Sequence, residues 1–267
     1  MFRAGRKAKS RIALTAAAIF LIAAAALCAF LLYCRQASST PPSPGAPATE
    51  EAGSGGGDGF PEVDWDYWKG VNPDVIGWLT IPGTSVDSPI LQAHADAPDY
   101  YLHHDVYRNY NPAGAIYLDA DCEELGLSSR NAVILGHHFW NDTVTAPMGI
   151  IAEYKDRTFA SEHARILIQT PAAKMVYGAR FAQIVNGLER NKRTSFIDDS
   201  DFKAWYDESK ADAAMVLDAE AEPEQTVSLV TCSYNIWVKN ERTVLVSSMQ
   251  EPIENQEEYA QTVPDAP

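Results

Sequence analysis

The sequence predicts a mainly β domain whose strands close into a barrel of about eight strands. From Leu79 onward, short β-type runs alternate with turn residues at close spacing, which is typical of a closed or nearly closed barrel. Helical patterns occur before these runs and once between the sixth and seventh of them. About 200 residues follow the first sixty, which is enough for one domain with a sizeable core.

The eight runs are rich in β-branched, aliphatic and aromatic residues, the types that favour strands. In chain order they are LTIPG, SPILQ, GAIYLD, NAVILG, ARILIQT, MVYGARFAQIVNG, TVSLVTC and TVLVSSM.

Two regions carry a helical pattern instead. In PEVDWDYWKGVNPDVIGWL, aromatic and aliphatic residues recur at helical spacing on both sides of the breaker pair Asn72-Pro73, which predicts two short N-terminal helices with packed tryptophans. In FIDDSDFKAWYDESKADAAM, Phe202, Trp205 and Tyr206 follow an Asp or Ser cap. This segment predicts a helix inserted before the seventh strand.

The N-terminus predicts a membrane anchor. Residues 12–34 form 23 positions without a charge, and as a helix they would span roughly 34 Å at ~1.5 Å per residue. Residues 1–11 form a basic tail with five Lys or Arg and no acid, so the positive-inside rule places this tail in the cytoplasm and the rest outside the cell membrane. A cleaved signal peptide is the alternative, although the apolar run is longer than its usual core.

The remaining segments have distinct compositions. Residues 35–60 are rich in Pro, Gly and Ser and predict a flexible tether. Residues 61–250 form the predicted extracellular domain, and residues 251–267 an acidic, loosely ordered tail. Without the five basic residues of the N-terminal tail, 16 Lys and Arg remain against 36 Asp and Glu, a net charge of about −20. This charge argues against nucleic acid or anionic lipid as a partner of the domain.

Cysteine usage excludes a disulfide framework. The predicted outer portion contains only Cys122 and Cys232, which is too few to staple a domain of this size. Cys232 ends the run TVSLVTC, and after nine intervening residues Arg242 opens the last strand. If the two strands pair as a hairpin, a guanidinium lies beside the thiol, where it favours thiolate and stabilises an oxyanion. Such a pair also occurs without catalysis in many β proteins.

Histidine supplies the acid–base group that a cysteine nucleophile needs. The run NAVILG ends at Gly136, and His137 and His138 follow it at a strand exit. A second pair, His103 and His104, occurs in YYLHHD. We do not predict zinc, because adjacent residues of an extended chain point to opposite faces and chelate poorly.

Several blocks together resemble the class B sortases of Gram-positive bacteria, in the same order and over most of the chain from about residue 72 to 249. The blocks are NPDVIGWLTIPGTSVDSPILQ, DYYLHHDVYRNYNPAGAIYLD, NAVILGHH, LVTCSY and ERTVLV. The helix before the seventh strand is similar to the extra helix that marks class B. The resemblance implies a sortase-type barrel whose catalytic residues are His137, Cys232 and Arg242, because the family's histidine directly follows the glycine.

Other residues follow from the same comparison. His138 is expected to be peripheral, and His103 and His104 to be packed or hydrogen-bonded in the core. The stretch FWNDTVTAPMGIIAEY departs from the shorter Met-containing loop that the resemblance leads us to expect. Trp237 is expected either to line the groove or to pack.

The resemblance implies a cysteine transpeptidase and endopeptidase without a metal or organic cofactor. It implies that the enzyme cleaves a C-terminal sorting motif of secreted proteins and passes the acyl group to an amine, either of a cell-wall precursor in surface-protein anchoring or of a pilin lysine in pilus assembly. Two alternatives remain, a thiol hydrolase that passes the acyl group to water and a non-catalytic wall-binding module.

Overall fold

A computed structural model describes residues 59–139, 146, 148–187, 192–219, 221–236 and 240–252. All of them belong to one compact unit. The predicted anchor at 12–34, most of the linker, the acidic tail after 252 and Trp237 lie outside the described residues. Within these residues, no helix has the length and apolar character needed to cross a membrane.

Eight strands close into a barrel, as the sequence predicts. Their order around the ring is β5, β1, β2, β3, β4, β8, β9 and β6, and β6 pairs again with β5. A ninth strand, the two-residue β7, pairs with β6 outside the ring. The nine strands are β1 (Val75–Thr80), β2 (Asp87–Gln92), β3 (Ile116–Leu118), β4 (Asn131–Leu135), β5 (Arg165–Gln169), β6 (Lys174–Asn186), β7 (Met215–Val216), β8 (Thr226–Ser233) and β9 (Glu241–Pro252).

Alternation along the strands separates the two faces of the barrel wall. Leu229 on β8 lies opposite Leu245 on β9, and both pack in the central apolar cluster. Val230 and Val244 are also paired, but they contact a second cluster formed with the helix that covers the outside. Because side chains alternate along a strand, even-numbered residues of β8 and β9 face outward at this end of the barrel.

The first predicted helix is confirmed and the second is wrong. Helix α1 (Trp65–Val71) begins at Asp64, whose carboxylate accepts the Tyr67 N–H at 2.9 Å, and it ends at Asn72. After the Asn-Pro break the chain forms β1 instead, because it pairs with both β2 and β5. Trp78 on β1 packs against Trp68 of α1, with ring centroids 5.4 Å apart. The tryptophans therefore pack, as predicted, with only one of them on a helix.

The inserted helix is confirmed as α3 (Asp199–Ala211), which lies between β6 and β7 in the chain. It therefore precedes β8, which is the seventh of the eight barrel strands in chain order. Asp198 caps it by accepting the Asp201 N–H at 2.9 Å. Phe202 and Tyr206 are buried, and the Tyr206 ring meets Phe181 of β6 edge-on at 5.2 Å. This contact fixes α3 against the outer face of β6.

Short helical turns fill the connections. Helix α2 (Arg157–Glu162) precedes β5, and 3-10 turns occur at Tyr100–Leu102, Ala120–Cys122, Gly126–Ser128 and Gly149–Lys155. Phe60 is buried against Leu167 and Val176. The ordered domain therefore includes the last residue of the segment predicted as linker.

Candidate active site

Cys232 and Arg242 lie directly opposite each other in the antiparallel ladder of β8 and β9. Opposed residues in such a ladder have Cα atoms about 4.5–5.5 Å apart and side chains on the same face. Cys232 is partly buried and carries a free thiol. The predicted placement of a guanidinium beside the thiol is confirmed.

The guanidinium of Arg242 bends back onto its own strand. Its Nη1 donates to the main-chain carbonyl of Glu241 at 2.9 Å. Gly187, at the end of β6, approaches closely, and a Cβ there would lie 3.1 Å from Arg242 Cζ. The absence of a side chain at Gly187 therefore leaves room for the guanidinium.

His137 leaves β4 beside the strand that carries the cysteine. β4 runs parallel to β8, and the Gly136 N–H donates to the Val230 carbonyl at 3.3 Å. The buried hydroxyl of Thr231, the residue before Cys232, donates to the Gly136 carbonyl at 3.0 Å. A Cβ at Gly136 would overlap Met148 Cγ and lie 2.9 Å from Met148 Cβ, so glycine is required for this close approach.

Hydrogen bonding assigns the tautomer of His137. Its Nε2 lies 2.8 Å from the carbonyl oxygen of Leu102, which can only accept, so Nε2 carries the hydrogen. In the neutral ring the lone pair is then on Nδ1. Burial lowers the pKa of His137, and the nearby charges of His103 and Arg242 lower the pKa further, while the Leu102 carbonyl opposes them. The ring is therefore neutral at pH 7 and available as a base.

His138 is not peripheral, contrary to the sequence prediction. Its Nδ1 donates to the main-chain carbonyl of Cys232 at 2.8 Å. The Tyr234 hydroxyl donates to the His138 carbonyl at 2.9 Å, and the two rings meet edge-on. His138 thus links the exit of β4 to the end of β8, a contact that the sequence did not reveal because it joins segments far apart in the chain.

The two histidines of the second pair, His103 and His104, differ in burial and contacts. His104 is hydrogen-bonded and packed, as expected, because its Nδ1 lies 2.8 Å from the Tyr100 carbonyl and its ring stacks on Tyr100. The expectation is wrong for His103, which is exposed and has its ring centroid 6.1 Å from that of His137. No cluster of three His, Cys, Asp or Glu side chains in the described part of the chain has a metal-binding arrangement.

Tyr117 and Cys122 are the other notable groups. Tyr117 is buried on β3, and burial, followed by the charges of Asp99, Asp119 and Cys232, raises the pKa of its hydroxyl, so it stays neutral. Burial likewise raises the pKa of the Cys122 thiol, whose Sγ donates to the Asn131 carbonyl at 3.8 Å. Cys122 is therefore a core residue, and Cys232 is the thiol at the site.

Comparison with known proteins supports the resemblance that the sequence blocks indicate. No family model matches the chain. The chain is 25% identical to sortase B of Staphylococcus aureus over 180 residues, covering 67% of this chain and 71% of that protein. It is 36% identical to sortase B of Listeria monocytogenes over 93 residues, 35% of each protein. Both relatives are class B sortases, the family that the sequence blocks resemble.

Solved sortase B structures agree with this chain in fold. A structure of the S. aureus sortase B–substrate complex superimposes with a TM-score of 0.60 at 23% identity, over 70% of this chain and 84% of that one. Clostridium perfringens sortase B superimposes with a TM-score of 0.61 at 23% identity, over 70% of this chain and 99% of that one. The predicted barrel is confirmed, and the curated relatives agree with the resemblance to the sortases, which are cysteine transpeptidases.

Proposed function

We propose that this sortase cleaves a C-terminal sorting motif of secreted proteins and transfers the acyl group to an amine. The Cys232 thiolate attacks the backbone carbonyl carbon of a threonine in the motif and forms a tetrahedral intermediate. Collapse breaks the C–N bond, releases the C-terminal tail as an amine and leaves a thioester. An incoming amine then attacks the thioester and releases the thiolate. The observation that carries this proposal is the direct pairing of Cys232 with Arg242. The hydrogen bond from Thr231 to the Gly136 carbonyl also holds the residue before His137 next to the residue before Cys232.

His137 and Arg242 have separate roles in this scheme. His137 takes the thiol proton of Cys232 on Nδ1, since Nε2 is engaged by Leu102, and gives it to the departing amine. It then takes a proton from the incoming amine at the same atom and returns it to the released thiolate. Arg242 donates to the oxyanion of both tetrahedral intermediates. A guanidinium has five N–H donors, and the Glu241 carbonyl engages one through Nη1.

The substrate class rests on the relatives. One structure with the same fold is a sortase B–substrate complex, and another is sortase B complexed with triglycine, a peptide with a free amine. We infer that the amine here belongs either to a cell-wall precursor, which gives surface-protein anchoring, or to a pilin lysine. Transfer assays with a triglycine acceptor and with a lysine-bearing pilin peptide distinguish the two.

We also propose that the catalytic domain stands outside the cell membrane on the predicted anchor and linker. The support is the uncharged run at residues 12–34 with its basic flank. Treatment of intact cells with protease is expected to degrade the domain, and carbonate extraction is expected to leave the protein in the membrane fraction. A domain protected from protease in intact cells would contradict the proposed topology.

The test of the chemistry uses a fluorogenic sorting peptide with and without an added amine. Cys232→Ala is expected to abolish cleavage, and Cys122→Ala is the matched control that removes the other described thiol without loss of turnover. Mass spectrometry is expected to detect a thioester on Cys232 and, when amine is present, the transpeptidation product. Full activity of Cys232→Ala would contradict the mechanism. Formation of the hydrolysis product alone at saturating amine would show that the protein is a hydrolase and not a transpeptidase.

The two adjacent histidines provide a second discrimination. His137→Ala is expected to lower kcat by at least about a hundredfold, in the range typical of a lost general acid–base group. His138→Ala removes a hydrogen bond to the Cys232 carbonyl and is expected to cost less, with a loss in Tm. The reverse order of the two kcat losses would assign the proton transfer to His138.

A further inference from the structure

Glu241, the residue before Arg242, carries a buried carboxylate with several hydrogen bonds. Its side chain is fully buried. One oxygen accepts both the main-chain N–H and the side-chain amide of Asn235 at 2.7 Å each, and the other oxygen accepts the main-chain N–H of Ile236. Asn235 and Ile236 begin the connection from β8, and Glu241 ends it. The carboxylate therefore ties the two ends of this connection together.

The carboxylate faces away from the reacting groups. Glu241 lies on the same side of β9 as Leu245, which packs inside the barrel, whereas Cys232 and Arg242 face outward. A buried charge is unfavourable unless it is paired or hydrogen-bonded, and three N–H donors meet that need. A direct role in proton or acyl transfer is excluded by this orientation, so any effect on the reaction passes through the main chain.

The main chain of this segment holds Arg242. The Glu241 carbonyl accepts from Arg242 Nη1 at 2.9 Å. On the other side, the Gly187 N–H donates to the Asn240 carbonyl. Residues 240–242 are thus fixed between the carboxylate contacts of Glu241 and the end of β6, and the guanidinium takes its direction from them.

We propose that Glu241 is a positioning residue, which holds the start of β9 so that Arg242 points at the oxyanion. The inference rests on the proposed function, in which Arg242 is the oxyanion donor. It predicts that the effect of Glu241 on catalysis depends on the arginine being present. A residue needed only for stability would lower activity to the same extent with any residue at position 242.

A double-mutant cycle tests this dependence. Glu241→Gln keeps the size of the side chain but places an amide N–H₂ against at least one donor. We expect kcat for the fluorogenic peptide to fall about tenfold or more with KM within about twofold, a size in keeping with a small misplacement of a catalytic group. In the Arg242→Lys background, Glu241→Gln is expected to change the rate of acyl-enzyme formation by less than about twofold. Glu123→Gln is the matched control, because the Glu123 carboxylate also accepts a main-chain N–H, that of Ala95, and so holds another segment of the chain in place.

Two results would overturn the proposal, namely an equal loss in both backgrounds or no loss in the enzyme with Arg242. If Arg242→Lys alone is as fast as the unmodified enzyme, the role of Arg242 in the proposed function fails, and this is seen before Glu241 is changed. The ¹⁵N–¹H signal of Arg242 Nε, assigned by its disappearance in Arg242→Lys, gives a readout without turnover. Its heteronuclear NOE is expected to fall in Glu241→Gln and to stay unchanged in Glu123→Gln, and an unchanged value in both would contradict the proposal.

Gly187→Ala provides a second variant that avoids the buried site. Gly187 is exposed, and an added Cβ would lie 2.8 Å from the Asn240 carbonyl oxygen and 3.1 Å from Arg242 Cζ. It is therefore expected to displace the guanidinium while the barrel stays folded. The same dependence on Arg242 is expected, with about tenfold loss in its presence and little in the Arg242→Lys background. Equal losses in both would contradict the proposal even if Glu241→Gln fails to fold.

Discussion

His137 shows how a single hydrogen bond assigns a chemical role to one atom. The Leu102 carbonyl engages Nε2, so in the proposed reaction the proton that is exchanged with substrate sits on Nδ1. Desolvation and the neighbouring charges of His103 and Arg242 keep the ring neutral in the resting enzyme. The sequence predicted this histidine from its position after Gly136, but the carbonyl that fixes the tautomer lies 35 residues earlier, on a turn whose approach no local pattern predicts.

The lowered pKa of His137 predicts an acid-dependent loss of stability. In the folded protein the pKa lies below its ordinary value, so between the two values the unfolded chain binds a proton that the folded protein does not. Stability is therefore unaffected by this group above the unfolded pKa and falls as pH drops below it. His137→Gln lacks this titration, so the Tm of the unmodified enzyme is expected to fall more steeply between about pH 7 and 5 than that of the variant. Parallel Tm curves would contradict the assignment.

The parallel joint between β4 and β8 is the element that brings the histidine to the cysteine. The Thr231 hydroxyl is its last contact before Cys232 and His137, and it donates to the carbonyl of Gly136. Thr243 lies directly opposite on β9, is equally buried, and its hydroxyl has no hydrogen-bond partner among the described residues. Two paired threonines on one face of the ladder therefore differ in a single hydrogen bond.

This difference gives a matched pair of variants. Thr231→Val keeps the shape but leaves the buried Gly136 carbonyl without its donor, and we expect a cost of about 1–3 kcal/mol in unfolding free energy together with a fall in kcat. Thr243→Val removes a buried hydroxyl that has no partner among the described residues and is expected to be neutral or stabilising. Urea unfolding of both variants measures the comparison, and equal destabilisation would show that the Thr231 hydrogen bond contributes nothing.

The positions of strands and helices could be predicted from the local sequence, whereas the pairing of the strands could not. Each of the eight predicted β-type runs overlaps a strand, because β-branched and aliphatic residues fill both faces of the wall. The segment after Asn72-Pro73 was mistaken for a helix because the spacing of Val75 and Trp78 fits either period over so few residues. Only tertiary pairing with β2 and β5 decides for the strand. The two-residue β7 is too short to leave a pattern.

At the candidate active site, too, local features could be predicted from the sequence and tertiary contacts could not. The pairing of Cys232 with Arg242 followed from counting residues in a hairpin. The contribution of Glu241 did not, because its three donors depend on how the connection folds back. The contact of His138 with the Cys232 carbonyl spans 94 residues of sequence and needs the complete barrel.

At the scale of the whole molecule, α1 closes one side of the barrel. Trp68 is buried there against Trp78, and the ring centroid of Tyr107 lies 6.4 Å from that of Trp68. A chain that begins at residue 59 is expected to match the full protein in Tm. A chain that begins at residue 73 loses this packing and is expected to lose about 3–5 kcal/mol or more, the usual cost of removing a buried tryptophan. Equal Tm values for the two truncations would show that α1 contributes no stability.

The order of strands around the ring also determines when the enzyme can first be active. β8 and β9 are the last two of the described strands in chain order, yet they lie between β4 and β6, and Asn131 pairs with Thr226, made 95 residues later. Cys232 and Arg242 thus arrive together on the hairpin of β8 and β9, and the barrel stays open until that hairpin inserts. Contacts between such distant segments form slowly. With Cys232, Arg242 and His137 in the proposed roles, ribosomal synthesis delivers an inactive chain, and Cys232 meets His137 only in the closing step of folding.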